Sequence, residues 1–154
     1  MMVFAHIRDN FAAAFFPRLS EWACAFAVFG IGTVLHANTD LMASTRTDAY
    51  ILTLAIAEQA SWAKGLIGFG LCRLIILLIN GAWRRSPHLR SVMAIFSCFP
   101  LWAIAWSFLP SFGIAMVFAW VFLGMDVINA VRAAGDAKTV DHAHARGQDG
   151  RRNK

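Results

Sequence analysis

The sequence predicts an all-α, polytopic membrane protein: four transmembrane helices preceded by an N-terminal interfacial amphipathic helix. Hydrophobic residues make up 58% of the 154 residues and charged ones only 15%, too few for a water-soluble fold to cover its apolar surface. The apolar residues come in blocks long enough to cross a hydrocarbon layer, with the charges confined between them. The cations, finally, gather on one side of the alternation that those blocks impose.

Three regions follow along the chain. Residues 1–17 place Phe4, Ile7, Phe11 and Phe15 at helical spacing, with Arg8 and Asn10 off that face, so they read as an interfacial helix stopped by Pro17. With Arg8, Asp9 and Asn10 inside this stretch, and no A-x-A-like site after the first long apolar run, no cleavable signal is expected. Residues 18–133 hold the four spans, at about 20–37, 62–83, 89–109 and 112–131. Residues 134–154, charged and His/Gly-rich, read as a disordered basic tail.

Each span has its own marks. The first opens with Ser20 as N-cap and Glu21 in the first turn, and its Ala23, Ala27, Gly30 and Gly32 allow a neighbouring helix close approach. Before the second span, Ala49–Lys64 starts apolar but is too short to cross before Glu58, Gln59, Ser61 and Lys64 interrupt it. It reads as an interfacial or re-entrant segment, or as an extension of the second helix. Trp62 and Trp83 bracket the second span as interfacial anchors, while Gly65, Gly68 and Gly70 within it read as helix-packing positions rather than a nucleotide loop. Pro100 predicts a kink in the third span. Pro110-Ser111 allows only a tight turn, making the third and fourth spans an antiparallel hairpin; Trp120, nearer mid-span, reads as a packing residue.

Orientation follows from the cations. Arg8, Arg18, Arg84, Arg85, Arg90, Arg132, Lys138, Arg146, Arg151, Arg152 and Lys154 fall on one side, Arg46 and Lys64 on the other, and Arg73 lies within a span. The positive-inside rule puts both termini in the cytoplasm. The same distribution turns the basic balance toward membrane orientation and away from nucleic acid as a partner. Cys24, Cys72 and Cys98 all lie inside apolar runs and read as small packing residues, neither a disulfide framework nor a metal site.

Arg73 is the most informative residue. It sits about 16 Å from the Arg84 end of its helix, near the bilayer centre, where a lone Arg costs at least ~2.5–3.5 kcal/mol. Asp126 is the acid within an apolar span that can offset this, about 9 Å from Arg132. An Arg73–Asp126 pair is therefore expected to join the second and fourth spans, with Asn80 and Asn129 extending a polar seam toward the cytoplasm. A buried pair that fixes helix register is favoured over a proton or ion path. Arg84, Arg85, His88 and Arg90 form a cytoplasmic loop suited to lipid headgroups or a partner.

The stretch Ile79-Asn80-Gly81-Ala82-Trp83-Arg84-Arg85-Ser86-Pro87-His88-Leu89-Arg90 resembles the N-G-x-W-R-R-[ST]-P-H-[LI]-R loop of small multi-pass membrane proteins encoded by tailed phages and prophages. The run Asp126 to Ala137, with Arg132-Ala133-Ala134-Gly135-Asp136-Ala137, resembles a pattern near the end of the same proteins. The resemblance covers roughly residues 60–138. It implies a phage origin and the bacterial inner membrane, and it brings no activity, cofactor or catalytic residue.

No Ser/His/Asp set, paired carboxylates or zinc spacing is seen, so a non-enzymatic protein is expected, with no cofactor and no metal. Two function classes remain. One is a holin-like protein that oligomerises and opens the inner membrane. The other is a partner-binding membrane subunit, for superinfection exclusion or an envelope complex. A small proton or ion conductor built on Arg73 is the weaker third. The partners expected are the lipid bilayer and either further copies of the chain or another membrane protein.

Overall fold

The computed structural model describes residues 18–44, 50–82, 87–108 and 113–152, and every element in them is a helix. Six follow in order: α1 (Leu19–Ala37), α2 (Leu41–Ser44), α3 (Ile51–Ile56), α4 (Gln59–Ala82), α5 (Pro87–Ser107) and α6 (Ile114–Arg152). Four stretches are long and apolar enough to cross a membrane: Leu19–Ala37, Gln59–Asn80, His88–Ser107 and Ile114–Thr139. The chain is a multi-pass, all-helical membrane protein. The interfacial helix expected over 1–17 and the Arg84-Arg85 pair lie outside the described residues.

The four spans form two pairs. α1 packs intimately on α4, and α5 on α6; α1 also lies against α6. Small residues set the first pairing. A side-chain carbon at Gly70 would stand 2.6 Å from the Phe29 backbone nitrogen, and one at Gly32 would stand 2.7 Å from that of Ile67. The two backbones therefore touch where glycine removes the side chain, as lipid-embedded helices require when no hydrophobic effect pulls them together. Gly30, Gly65 and Gly68 have open space at the same position, so only part of the small-residue pattern serves this contact. Between the pairs lies a core that includes Val28, Leu35, Leu66, Leu101, Ile104 and Leu123. Outward faces stay apolar, with Phe26, Ile75, Phe96 and Val121 all exposed, the pattern of a surface solvated by lipid.

Several expectations change. The 51–64 region is not one helix with the second span. α3 ends at Ile56, Ala57 is extended (φ −159°, ψ 157°), and α4 starts at Gln59. The break is stabilised by side chains: Trp62 Nε1 donates to the Thr53 carbonyl at 2.8 Å, and the Thr53 hydroxyl bonds to Ser107. Ser20 is not the N-cap of α1, because the helix already begins at Leu19 and Arg18 occupies the cap position; the Ser20 hydroxyl is spent elsewhere, as described below. Trp120 faces outward rather than into the packing. Pro100, where a kink is expected, lies inside α5, which continues on both sides of it; neighbouring helices make such a residue tolerable at membrane depth.

The largest difference concerns the tail. Where a disordered tail is expected over 134–154, α6 continues to Arg152, 39 residues in all, or about 58 Å. Ala133 and Ala137 are buried, and Asp136 is ion-paired, so tertiary contacts hold the helix past the last strongly apolar residue. Beyond them the helix runs on through Gly147 and Gly150, each at a cost of about 1 kcal/mol relative to alanine.

Candidate functional site

The polar side chains inside the spans converge on one column. α4 carries Arg73, Leu77 and Asn80 along one buried stripe, at i, i+4 and i+7 spacing. α6 presents Asp126 and Asn129 inward one turn apart, and α5 contributes Ser97, midway along its length.

Arg73 and Asp126 form a two-pronged ion pair. Arg73 Nη1 donates to Asp126 Oδ2 at 2.7 Å, Nη2 donates to Oδ1, and Nη1 also donates to the Ser97 hydroxyl. Arg73 is 2% exposed and Asp126 0%, so the pair is withdrawn from both lipid and water. The fork of a guanidinium matches a carboxylate in this geometry, which lysine cannot do. The seam continues along α6: Asn129 Nδ2 donates to Asp126 Oδ1 at 3.4 Å, and Ser20 donates to Asn129 Oδ1 at 2.6 Å. The Cys24 thiol lies beside it, 3.7 Å from the Phe122 carbonyl and 3.7 Å from Asn129 Nδ2. Asn80 is buried on the Arg73 stripe, two turns nearer the same end.

A second ion cluster sits one level further out. Arg90 Nε donates to Glu21 Oε2 at 3.0 Å, its Nη2 donates to Glu21 Oε1, and its Nη1 donates to Asp136 Oδ2 at 3.2 Å. Glu21 and Arg90 are each 6% exposed, while the Asp136 side chain is open to the surroundings. This corrects the expectation for Arg90. It is not a loop cation free for headgroups or a partner; it lies in the first turn of α5 and turns into the bundle, because Glu21 would otherwise be buried without a counter-charge. His88, two residues earlier, is exposed.

Glu21, Ser20 and the Arg90–Asp136 contact escaped the sequence reading. By sequence, Glu21 stands in the first turn of the first span and Arg90 in a loop. The available signal was that both stand just inside an apolar run at the same end of the alternation, with opposite charge.

The arrangement has a plain mechanical sense. The Arg73–Asp126, Arg73–Ser97, Ser20–Asn129 and Glu21–Arg90 bonds all cross from the α1–α4 pair to the α5–α6 pair. Asp126 to Asp136 spans ten residues of α6, about 15 Å, so the column occupies one half of the seam between the pairs.

The other end has its own polar clasp. Gln59 Nε2 donates to the carbonyl of Leu35 at 2.8 Å and to that of Asn38, and its Oε1 accepts from the Met42 backbone at 2.8 Å. These bonds satisfy carbonyls that the end of α1 leaves free. Among the described residues, no group of three or more His, Cys, Asp or Glu comes together as a metal site. Comparison with known protein families, curated proteins and solved structures finds no match to the chain.

Proposed function

We propose that the chain is a non-enzymatic inner-membrane protein of the phage and prophage type, that both its termini are cytoplasmic, and that it acts on the host envelope as a partner-binding membrane subunit. The observation that carries this reading is the internal neutralisation of its deep charges. Arg73 and Arg90 are each held by carboxylates across the seam, and the outward faces of the spans are apolar. A protein that opens a hole needs polar groups to turn toward water, whereas one that serves as a stable membrane module benefits from locking them inside. The 84–90 loop, which the sequence offers to headgroups or a partner, loses Arg90 to Glu21. The outer segment keeps Ile51, Leu52, Leu54 and Ile56 exposed on α3, and we place the partner contact there. The phage assignment rests on the loop motif around Asn80 to Arg90 and on the Asp126 to Ala137 pattern.

The test is expression of the chain alone in a growing bacterium, with membrane potential followed by a voltage-sensitive dye. A membrane subunit leaves potential and growth intact. An abrupt collapse of potential would replace this reading with the holin-like one.

A further inference from the structure

The polar column fills one half of the seam between the helix pairs; the other half holds a cavity. It measures about 530 Å³ and lies between α1, α5 and α6, with Tyr50 and the α2 turn forming its roof. We propose that this cavity is a binding site for one acyl chain of a bilayer phospholipid, which completes the seam where the column does not reach.

Three observations carry the proposal. The walls are apolar, formed by side chains such as Ile104 and Ala119. A buried water needs two to four polar partners, and this lining does not supply them. The cavity is also not sealed. Val34 and Phe118 line it, yet they are 51% and 60% exposed on the lipid-facing surface, so the hydrocarbon that covers that surface continues inward between α1 and α6. Finally, the volume is in the range of sites that take a drug-sized ligand, and leaving it empty would forfeit the dispersion contacts of every wall residue.

Gly30 provides the test. It lines the cavity, and a Cβ added there meets nothing within 4 Å, so Gly30→Phe can leave the α1 backbone in place and direct its ring into the site. Gly65 is equally open but is not part of this cavity, and Gly65→Phe is the matched control. Native mass spectrometry of protein purified in mild detergent from bacterial membranes reads the bound mass directly. The wild type and Gly65→Phe are expected to retain one phospholipid per chain and Gly30→Phe to lose it. Adding phospholipid back to stripped wild type should raise its melting temperature, with no rise for Gly30→Phe. Should Gly30→Phe fail to fold, Gly30→Leu and the add-back on the wild type carry the same decision. Equal retention by wild type and filled variant, no retention by the wild type, or retention of free fatty acid in place of phospholipid would each overturn the proposal.

Discussion

Arg73 and Asp126 show how an otherwise unaffordable residue survives at membrane depth. Each alone would be a desolvated charge; together, with Ser97 taking a further donor, they leave no charge uncompensated. Replacing one partner by an apolar residue therefore costs more than replacing both. Arg73→Met and Asp126→Leu are each expected to destabilise the folded bundle by about 3–5 kcal/mol, while the double variant recovers most of the loss. Thermal melting in detergent of the two single variants and the double one checks this, and additive losses would show that the pair is not an energetic unit. The participants were legible in the sequence because an arginine and an aspartate in apolar runs have few other ways to be tolerated. Glu21 and Arg90 were less legible. At the edge of a span a charge has a second option, the aqueous interface, and periodicity alone does not tell which it takes.

At the scale of helices, glycine content was legible but glycine use was not. The sequence presents Gly30, Gly32, Gly65, Gly68 and Gly70 as interchangeable packing positions. Only Gly32 and Gly70 meet a partner backbone, because which side of a helix faces its neighbour depends on a rotation set by all its contacts at once. Gly70→Leu and Gly32→Leu are expected to force α1 and α4 apart and cost at least about 1–3 kcal/mol. Gly65→Leu and Gly68→Leu should leave the melting temperature unchanged or slightly higher, since a better helix former replaces glycine. The four variants measured side by side decide it; equal losses would mean that the α1–α4 contact is not made through these two glycines. The extension of α6 to Arg152 teaches a related lesson. Composition in the tail resembles a solvated, unstructured segment, yet the buried Ala133 and Ala137 and the Asp136–Arg90 contact carry the helix past the last apolar run. Removing residues 140–152 should lower the circular dichroism of the described helices by about a ninth and leave the melting temperature of the bundle unchanged. A marked fall in melting temperature would place that segment in the fold.

For the whole molecule, the contrast between the two kinds of contact decides how it comes apart. Within each helix pair the backbones run close together over their length, and such packing forms from segments adjacent in sequence. Between the halves, the specific links include the Arg73–Asp126, Ser20–Asn129 and Glu21–Arg90 bonds of the column, with a single Thr53–Ser107 bond near the opposite end. In lipid these bonds have no competing water, so they can join preformed pairs. A chain divided between Ala82 and Pro87 should therefore assemble from its two halves when they are expressed together, one carrying α1–α4 and the other α5–α6. A tag on the first half should recover the second. Asp126→Leu in the second half should abolish recovery, and Arg73→Met in the first half should restore it against that variant, because the buried charge then has no orphan. Gly70→Leu, which acts inside one half, should weaken that half without altering this dependence on Asp126. If the halves assemble equally well with Asp126→Leu alone, the apolar core and not the column holds the two pairs together, and the column would have to be explained by something other than assembly.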